Sequence, residues 1–79
     1  MTIVNLPWTY SRILAGHAVH FVLTPDEEDG GYVATCRELS GVISQGDTGK
    51  EAMRNVEEAF VAVIESYKAN GKPIPWNCE

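Results

Sequence analysis

The sequence predicts an α+β domain in which three or four antiparallel strands pack against one long helix. Three observations predict it: two β-rich segments flank a polar turn that ends in glycines, a third short β-rich segment follows, and apolar residues then recur at helical spacing. The 79 residues, 44% of them hydrophobic, suffice for one modest core. We therefore expect a single domain with an extension or edge strand in 1–15, strands in 16–46, a helix at 48–70 and a tail at 71–79.

The strands are predicted from β-branched and aromatic residues. Residues 18–24 and 32–37 are rich in both and should pair as an antiparallel hairpin across the turn between them. The chain turns again near Gly41, so residues 42–45 can supply a third strand. Residues 8–14 alternate weakly and could form a further edge strand that leads, through Ala15 and Gly16, into the hairpin.

The helix has the clearest local signals. Thr48 and Glu51 form a capping box, in which the Thr48 hydroxyl accepts from the Glu51 amide and the Glu51 carboxylate reaches back to the Thr48 amide. Asp47 places negative charge at the positive end of the helix dipole. The apolar face consists of Ala52, Met53, Val56, Ala59, Phe60, Val63, Ile64 and Tyr67. Asn70 and Gly71 predict the helix end.

Composition and charge exclude several classes of function. Eleven acidic against six basic residues give a net charge of −5, which opposes contact with nucleic-acid phosphates. No apolar run approaches the roughly 20 residues that span a bilayer, and residues 1–7 do not resemble a signal peptide. We therefore expect a cytoplasmic protein that contacts neither nucleic acid nor membrane. Cys36 and Cys78 fit neither a disulfide framework nor a zinc spacing, so we interpret them as a buried strand thiol and a free tail thiol.

The residues alone predict no catalytic, metal or cofactor site. Residues 46–50 resemble a phosphate-binding loop, but Ser44 and Glu51 stand where that pattern requires glycine and Ser or Thr. The two histidines are separated by an odd number of positions on one strand and so face opposite sides. A Cys36 nucleophile would need His20 nearby and an electropositive setting, and a structural role is favoured.

The acidic run at residues 26–29 allows two interpretations. We favour a solvated turn, and the alternative is contact with a partner or an ion, although the twelve-residue calcium-loop pattern is absent. The small core and the exposed sheet edges favour self-association, so we expect a homo-oligomer.

Motifs at successive junctions of the predicted fold resemble the HicB antitoxin family. They are the acidic-Gly-Gly-Tyr turn at residues 26–32, Glu38-Leu39-Ser40-Gly41, Gln45-Gly46-Asp47-Thr48 with Glu51-Ala52, and Gly71-Lys72-Pro73-Ile74-Pro75. The structural positions of these motifs are Gly30, Gly31, Gly41, Gly46, Asp47, Thr48 and Glu51. The resemblance implies a partial RNase H-like fold and a short, single-domain family member without an appended DNA-binding domain.

The resemblance also implies a function. HicB-like antitoxins bind and inhibit a small basic HicA toxin, a ribonuclease that cleaves mRNA and has a double-stranded-RNA-binding-like fold. The candidate partner-contacting residues are Asp26, Glu27, Glu28, Asp29, Tyr32, Glu38 and Leu39, with Tyr32 and Leu39 as the apolar anchors. The main hypothesis is thus a protein-binding inhibitor that is not an enzyme.

Two alternatives are kept. The first is a stand-alone oligomeric regulator or scaffold without a toxin. The second, more remote, is a metal-dependent RNase H-like nuclease, which would need carboxylates converging from the strands. The predicted strand segments 18–24, 32–37 and 42–45 contain none.

Overall fold

The computed structural model describes residues 8–76 and shows four strands followed by one helix. The elements are β1 (Trp8–Leu14), β2 (His17–Pro25), β3 (Tyr32–Cys36), β4 (Ile43–Gly46) and α1 (Gly49–Ala69). The strands form one sheet in the order β1-β2-β3-β4, and every neighbouring pair is antiparallel. The predicted α+β class is confirmed, with four strands. The RNase H-like relationship stays a prediction.

The edge strand expected at residues 8–14 is present as β1. Its register with β2 sets Tyr10 opposite Phe21, and their rings lie 5.4 Å apart. Ala15 and Gly16 form the connection with φ angles of +52° and +82°. Two successive positive φ angles match the twist of a tight two-residue hairpin, so this short connection fixes the register of β1.

The core lies between one face of the sheet and α1. The helix buries Ala52, Val56, Phe60 and Ile64 completely. The sheet and the β3–β4 loop bury Val19, Phe21, Leu23, Ala34, Cys36, Leu39 and Val42. The Phe21 and Phe60 rings meet edge to face at 6.1 Å, a favoured geometry for aromatic pairs. The helical spacing therefore identified the face of α1 that packs on the sheet.

The cap of α1 differs in one detail from the prediction. The Thr48 hydroxyl accepts from the Glu51 amide at 3.1 Å, as expected. The Glu51 carboxylate, however, accepts from the amide of Asp47 at 2.8 Å and not from that of Thr48. The chain enters the helix through an extended Thr48 (φ −123°, ψ 161°), which leaves the Asp47 amide within reach of the carboxylate. Two amides at the helix start are thus still satisfied.

After α1 the chain folds back toward the sheet. Gly71, with a φ of +65°, follows the helix, and its amide donates to the Lys68 carbonyl at 3.1 Å. The Trp76 ring then lies 6.2 Å from that of Phe60 and 5.0 Å from that of His17. Part of the predicted tail thus covers the end of the core. Residues 1–7 and Cys78 lie outside the described residues. No helix within residues 8–76 has the length and hydropathy needed to cross a membrane.

Candidate partner-binding site

A polar cleft of about 290 Å³ opens where the β2–β3 turn lies beside the junction of β4 and α1. Its lining residues are Asp26, Asp29, Gly30, Tyr32, Gln45, Gly46, Asp47, Glu51 and Asn55. We call it the acidic cleft, because four of these residues are carboxylic acids and none is basic. Two pairs of acids, distant in sequence, therefore share one surface.

Asp26 organises the turn on one side of the acidic cleft. Its amide donates to the Gly31 carbonyl at 2.9 Å. Its carboxylate accepts from the amides of Glu28 at 3.1 Å and Asp29 at 3.3 Å. These bonds close the turn locally, so Asp26 has a structural role in addition to its charge. Glu27, Glu28 and Asp29 are exposed to solvent.

Two glycines allow the turn and the helix to approach each other. Gly31 has a φ of +78°, and a Cβ atom there would lie 2.5 Å from the Gly46 carbonyl oxygen. A Cβ atom at Gly46 would lie 2.6 Å from the Ala52 amide nitrogen and 2.9 Å from Glu51. Since these neighbours are mostly backbone atoms, they cannot rotate away. The Gly-Gly and Gly-Asp-Thr motifs thus permit the close packing that forms the acidic cleft.

Sequence reasoning missed two contributors to this end of the sheet. Asn55 of α1 donates from Nδ2 to the Gln45 carbonyl at 2.8 Å and so ties the helix to β4. Trp8 is 50% exposed, and its ring centre lies 6.3 Å from that of Tyr32. The sequence did offer one signal for Trp8, because a tryptophan in a predicted edge strand is a candidate for contact with a partner. Its contact with Tyr32 depends on the pairing of three strands.

The predicted contact residues do not form one surface. Residues 26–29 and Tyr32 precede or begin β3, whereas Glu38 and Leu39 follow its other end. Leu39 is only 1% exposed, because the β3–β4 loop folds inward and adds it to the core. Its side chain is buried in the core, and its role as an apolar anchor stays a prediction.

Glu38 forms its hydrogen bonds within the chain. Its carboxylate accepts from the His20 amide at 2.8 Å and contacts His20 Nδ1 at 2.6 Å. Burial raises the pKa of Glu38, but the hydrogen bonds from His20 oppose it and leave the pKa below its usual value. Glu38 thus caps the end of the β2–β3 pair, a role different from the predicted partner contact.

Cys36 lacks the surroundings of a nucleophile. The thiol is 6% exposed and lies 3.9 Å from Glu38 Oε1. Burial raises its pKa, and a carboxylate stands beside it where an activated thiolate would need positive charge. Within residues 8–76, no three His, Cys, Asp or Glu side chains are grouped to hold a metal ion.

Comparisons with known proteins give a family model and similar chains. A family model described as the HicB-like antitoxin of bacterial toxin-antitoxin systems matches residues 19–78. A UPF0150 protein of Synechocystis is 50% identical over 54 residues, which cover 68% of each chain. A UPF0150 protein of Thermoplasma acidophilum is 44% identical over 54 residues, covering 68% of this chain and 78% of the relative. No solved structure gives a significant match.

Proposed function

The chain belongs to the HicB-like family of antitoxins of bacterial toxin-antitoxin systems, and from this premise we propose that it binds and inhibits a small basic HicA-type ribonuclease toxin. We further propose that the acidic cleft and the acidic turn beside it form the toxin-binding surface. The proposed partner must bind RNA phosphates, so it presents basic side chains that carboxylates can neutralise. A contact of this kind blocks the toxin by occupying the surface that RNA would otherwise use.

The observation that carries the proposal is the concentration of negative charge at one end of the sheet. Four carboxylates line the acidic cleft, and Glu27 and Glu28 project from the adjoining turn. The cleft volume of about 290 Å³ is sufficient for the end of a lysine or arginine side chain. Clustered charges of one sign accelerate encounter with a partner of opposite charge and select against acidic proteins.

Aromatic side chains beside the acidic cleft supply the second part of the contact. Exposed charge pairs contribute little net affinity, and buried aromatic anchors contribute most of it. Trp8 and Tyr32 lie 6.3 Å apart at this end of the sheet, and Trp8 is half-exposed. We therefore assign the aromatic anchor to this pair, in place of Leu39.

The proposed mode of action is contact without catalysis, in the cytoplasm where the toxin meets mRNA. The carboxylates of the acidic cleft repel nucleic acid, which supports a direct protein contact in preference to RNA binding. The thiol of Cys36 is buried and its pKa is raised, which supports a mode of action without covalent catalysis. Incubation with RNA and magnesium or manganese should leave the RNA intact.

The test uses a candidate toxin, namely a small basic protein that a neighbouring gene encodes if one is found, and two variants of equal charge. Asp26→Asn with Asp29→Asn removes two charges from the acidic cleft, and the new amide oxygen at position 26 can still accept the turn hydrogen bonds. Glu58→Gln with Glu65→Gln removes two charges from exposed positions of α1. Both variants change the net charge from −5 to −3, since each replaces two acids.

Stopped-flow association should separate the two variants. We expect the Asp26/Asp29 variant to associate roughly tenfold more slowly at low salt and to show a weaker salt dependence. The Glu58/Glu65 variant should resemble the wild type, and Tyr32→Ala should mainly accelerate dissociation. Equal slowing by both charge variants would refute the assignment of the acidic cleft. The toxin-inhibitor proposal is wrong if the candidate toxin does not bind this chain and the chain does not relieve its toxicity.

A second candidate function is a stand-alone oligomeric regulator. One observation favours it, namely that the strands on the sheet face opposite α1 carry no acidic residue and so offer no negative charge to a basic partner. The same sheet face is also available for contact between two copies of this chain.

A further inference from the structure

The face of the sheet opposite α1 has an unusual composition. Because side chains alternate along a strand and pair across the register, the outward positions are Thr9, Ser11, Ile13, Ala18, His20, Val22, Thr24, Val33, Thr35, Ile43 and Gln45. We call this the outer face. Ile13 and Ile43 are 77% and 59% exposed, although both are large apolar residues.

The four strands contribute no carboxylate to the outer face, in a chain whose net charge is −5. All eleven acidic residues lie outside these strands. The carboxylate of Glu38, in the β3–β4 loop, reaches the edge of the outer face, where it contacts the His20 ring at 2.6 Å. The only strand residue with a permanent charge, Arg12, belongs to the opposite face, where its Nε lies 3.4 Å from Glu57 of α1. A water-facing side of an antiparallel sheet normally alternates polar and often charged residues. The outer face instead carries no residue with a permanent charge, and its five apolar residues, Ile13, Ala18, Val22, Val33 and Ile43, favour a face that is covered.

We propose that the outer face is covered by a second copy of this chain, giving a face-to-face sheet dimer. Two copies that each carry a charge of −5 repel one another wherever their acidic surfaces meet. The outer face is the sheet surface on which two copies can meet without pressing strand carboxylates together. A basic RNA-binding protein, in contrast, gains little from strands without negative charge. The occupant with matching chemistry is therefore the same face of another copy.

The size of the outer face supports a reversible dimer. Strands about 4.8 Å apart and about 3.3 Å per residue give four strands of about five residues a footprint of roughly 20 by 17 Å. Two such faces have a combined footprint of roughly 700 Å², which is small for a specific interface and typical of a weak, reversible contact. Aligned packing of two sheets is a common arrangement, and it places β-branched side chains between the layers. Self-association should therefore depend on concentration in the micromolar range.

The proposed toxin-binding surface remains accessible in this dimer. The acidic cleft involves Tyr32 and Gly46, which lie on the α1 side of the sheet or at its end. The dimer interface lies on the opposite side. Apart from Gln45, which belongs to both surfaces, the two proposals therefore use different residues. The purified chain alone suffices to test self-association.

The experiment is sedimentation equilibrium of the full chain with a pair of charge-matched variants. Thr35→Glu places a carboxylate near the centre of the outer face, on β3. Ser66→Glu adds the same charge at an exposed position of α1 and is the control. A third variant, Ile13→Thr with Ile43→Thr, removes apolar area but keeps residues that favour strands. Far-UV circular dichroism checks that each variant is folded.

We expect the wild type and Ser66→Glu to approach twice the 8.7 kDa chain mass as concentration rises. Thr35→Glu should weaken association at least about tenfold, since it buries two unpaired charges in the dimer. The isoleucine variant should also weaken it. A wild type that stays monomeric at high micromolar concentration would overturn the proposal, and so would a folded Thr35→Glu protein that dimerises like the control. If the wild type is monomeric and Thr35→Glu loses toxin binding, the toxin is the occupant and the dimer is wrong.

Discussion

Replacing Gly46 by alanine should destabilise the fold through one identifiable clash. The new Cβ atom would lie 2.6 Å from the Ala52 amide nitrogen and 2.9 Å from Glu51 Cβ, at the first turn of α1. An ordinary contact of a Cβ atom is 3.4 Å or longer. Strand β4 and the start of α1 must therefore separate by several tenths of an ångström, which loosens the packing of Ala52 on the sheet.

The expected magnitude follows from two opposing contributions. Overpacking of this kind costs about 1–3 kcal/mol. Replacement of glycine by alanine restricts the unfolded chain and returns about 0.4–1 kcal/mol. Because the obstructing atoms include backbone, we expect the upper part of the first range and a net loss of roughly 2 kcal/mol. Domains of this length have stabilities of roughly 4–12 kcal/mol, so the variant should still fold.

The assay is urea unfolding followed by far-UV circular dichroism, with all proteins at one concentration because self-association shifts apparent stability. The matched control is Gly49→Ala at the first residue of α1, where the new Cβ would meet only the movable Leu23 Cδ2 atom at 3.2 Å. Alanine also favours the helix, so the control should stay within about 1 kcal/mol of the wild type. If Gly46→Ala proved as stable as Gly49→Ala, the close approach of β4 and α1 would not be the reason for glycine.

Three further predictions concern the hydrogen-bonded groups of the sheet. Glu38→Gln should lower stability by about 1–2 kcal/mol at pH 7, because it removes the charge that accepts from His20. Glu38 has a lowered pKa, so this difference should shrink as the pH falls below 4.5, as urea unfolding across pH would show. In a Cys78→Ser variant, Cys36 should react with a thiol reagent only in urea, because the thiol is buried and burial raises its pKa, and fast reaction of the folded variant would contradict this. Burial and the bond to Glu57 raise the pKa of Tyr10, so stability should fall above pH ~10, where the unfolded tyrosine ionises. Tyr10→Phe should remove this alkaline loss, measured by unfolding at pH 9 to 11, and an unchanged profile would refute it.

The agreement between sequence and structure is closest where the signals are local. The Thr48 hydroxyl, the helical spacing of Ala52, Val56, Phe60 and Ile64, and the turn before Tyr32 depend on residues only a few positions apart. Local backbone preferences and capping bonds decide such features, because they form within one or two turns of chain. The antiparallel sheet, the helix and their order were accordingly predictable.

Only the tertiary structure decided which residues share a surface. The acidic cleft joins Asp26 and Asp29 to Asp47 and Glu51, and strand pairing alone brings Trp8 to Tyr32. The same packing separated Glu38 and Leu39 from the acidic turn, since one is bonded to His20 and the other is buried. The sequence by itself determined the elements and the charge they carry. The register of four strands and the close approach permitted at Gly31 and Gly46 determined where that charge collects, because both depend on contacts between residues far apart in the chain.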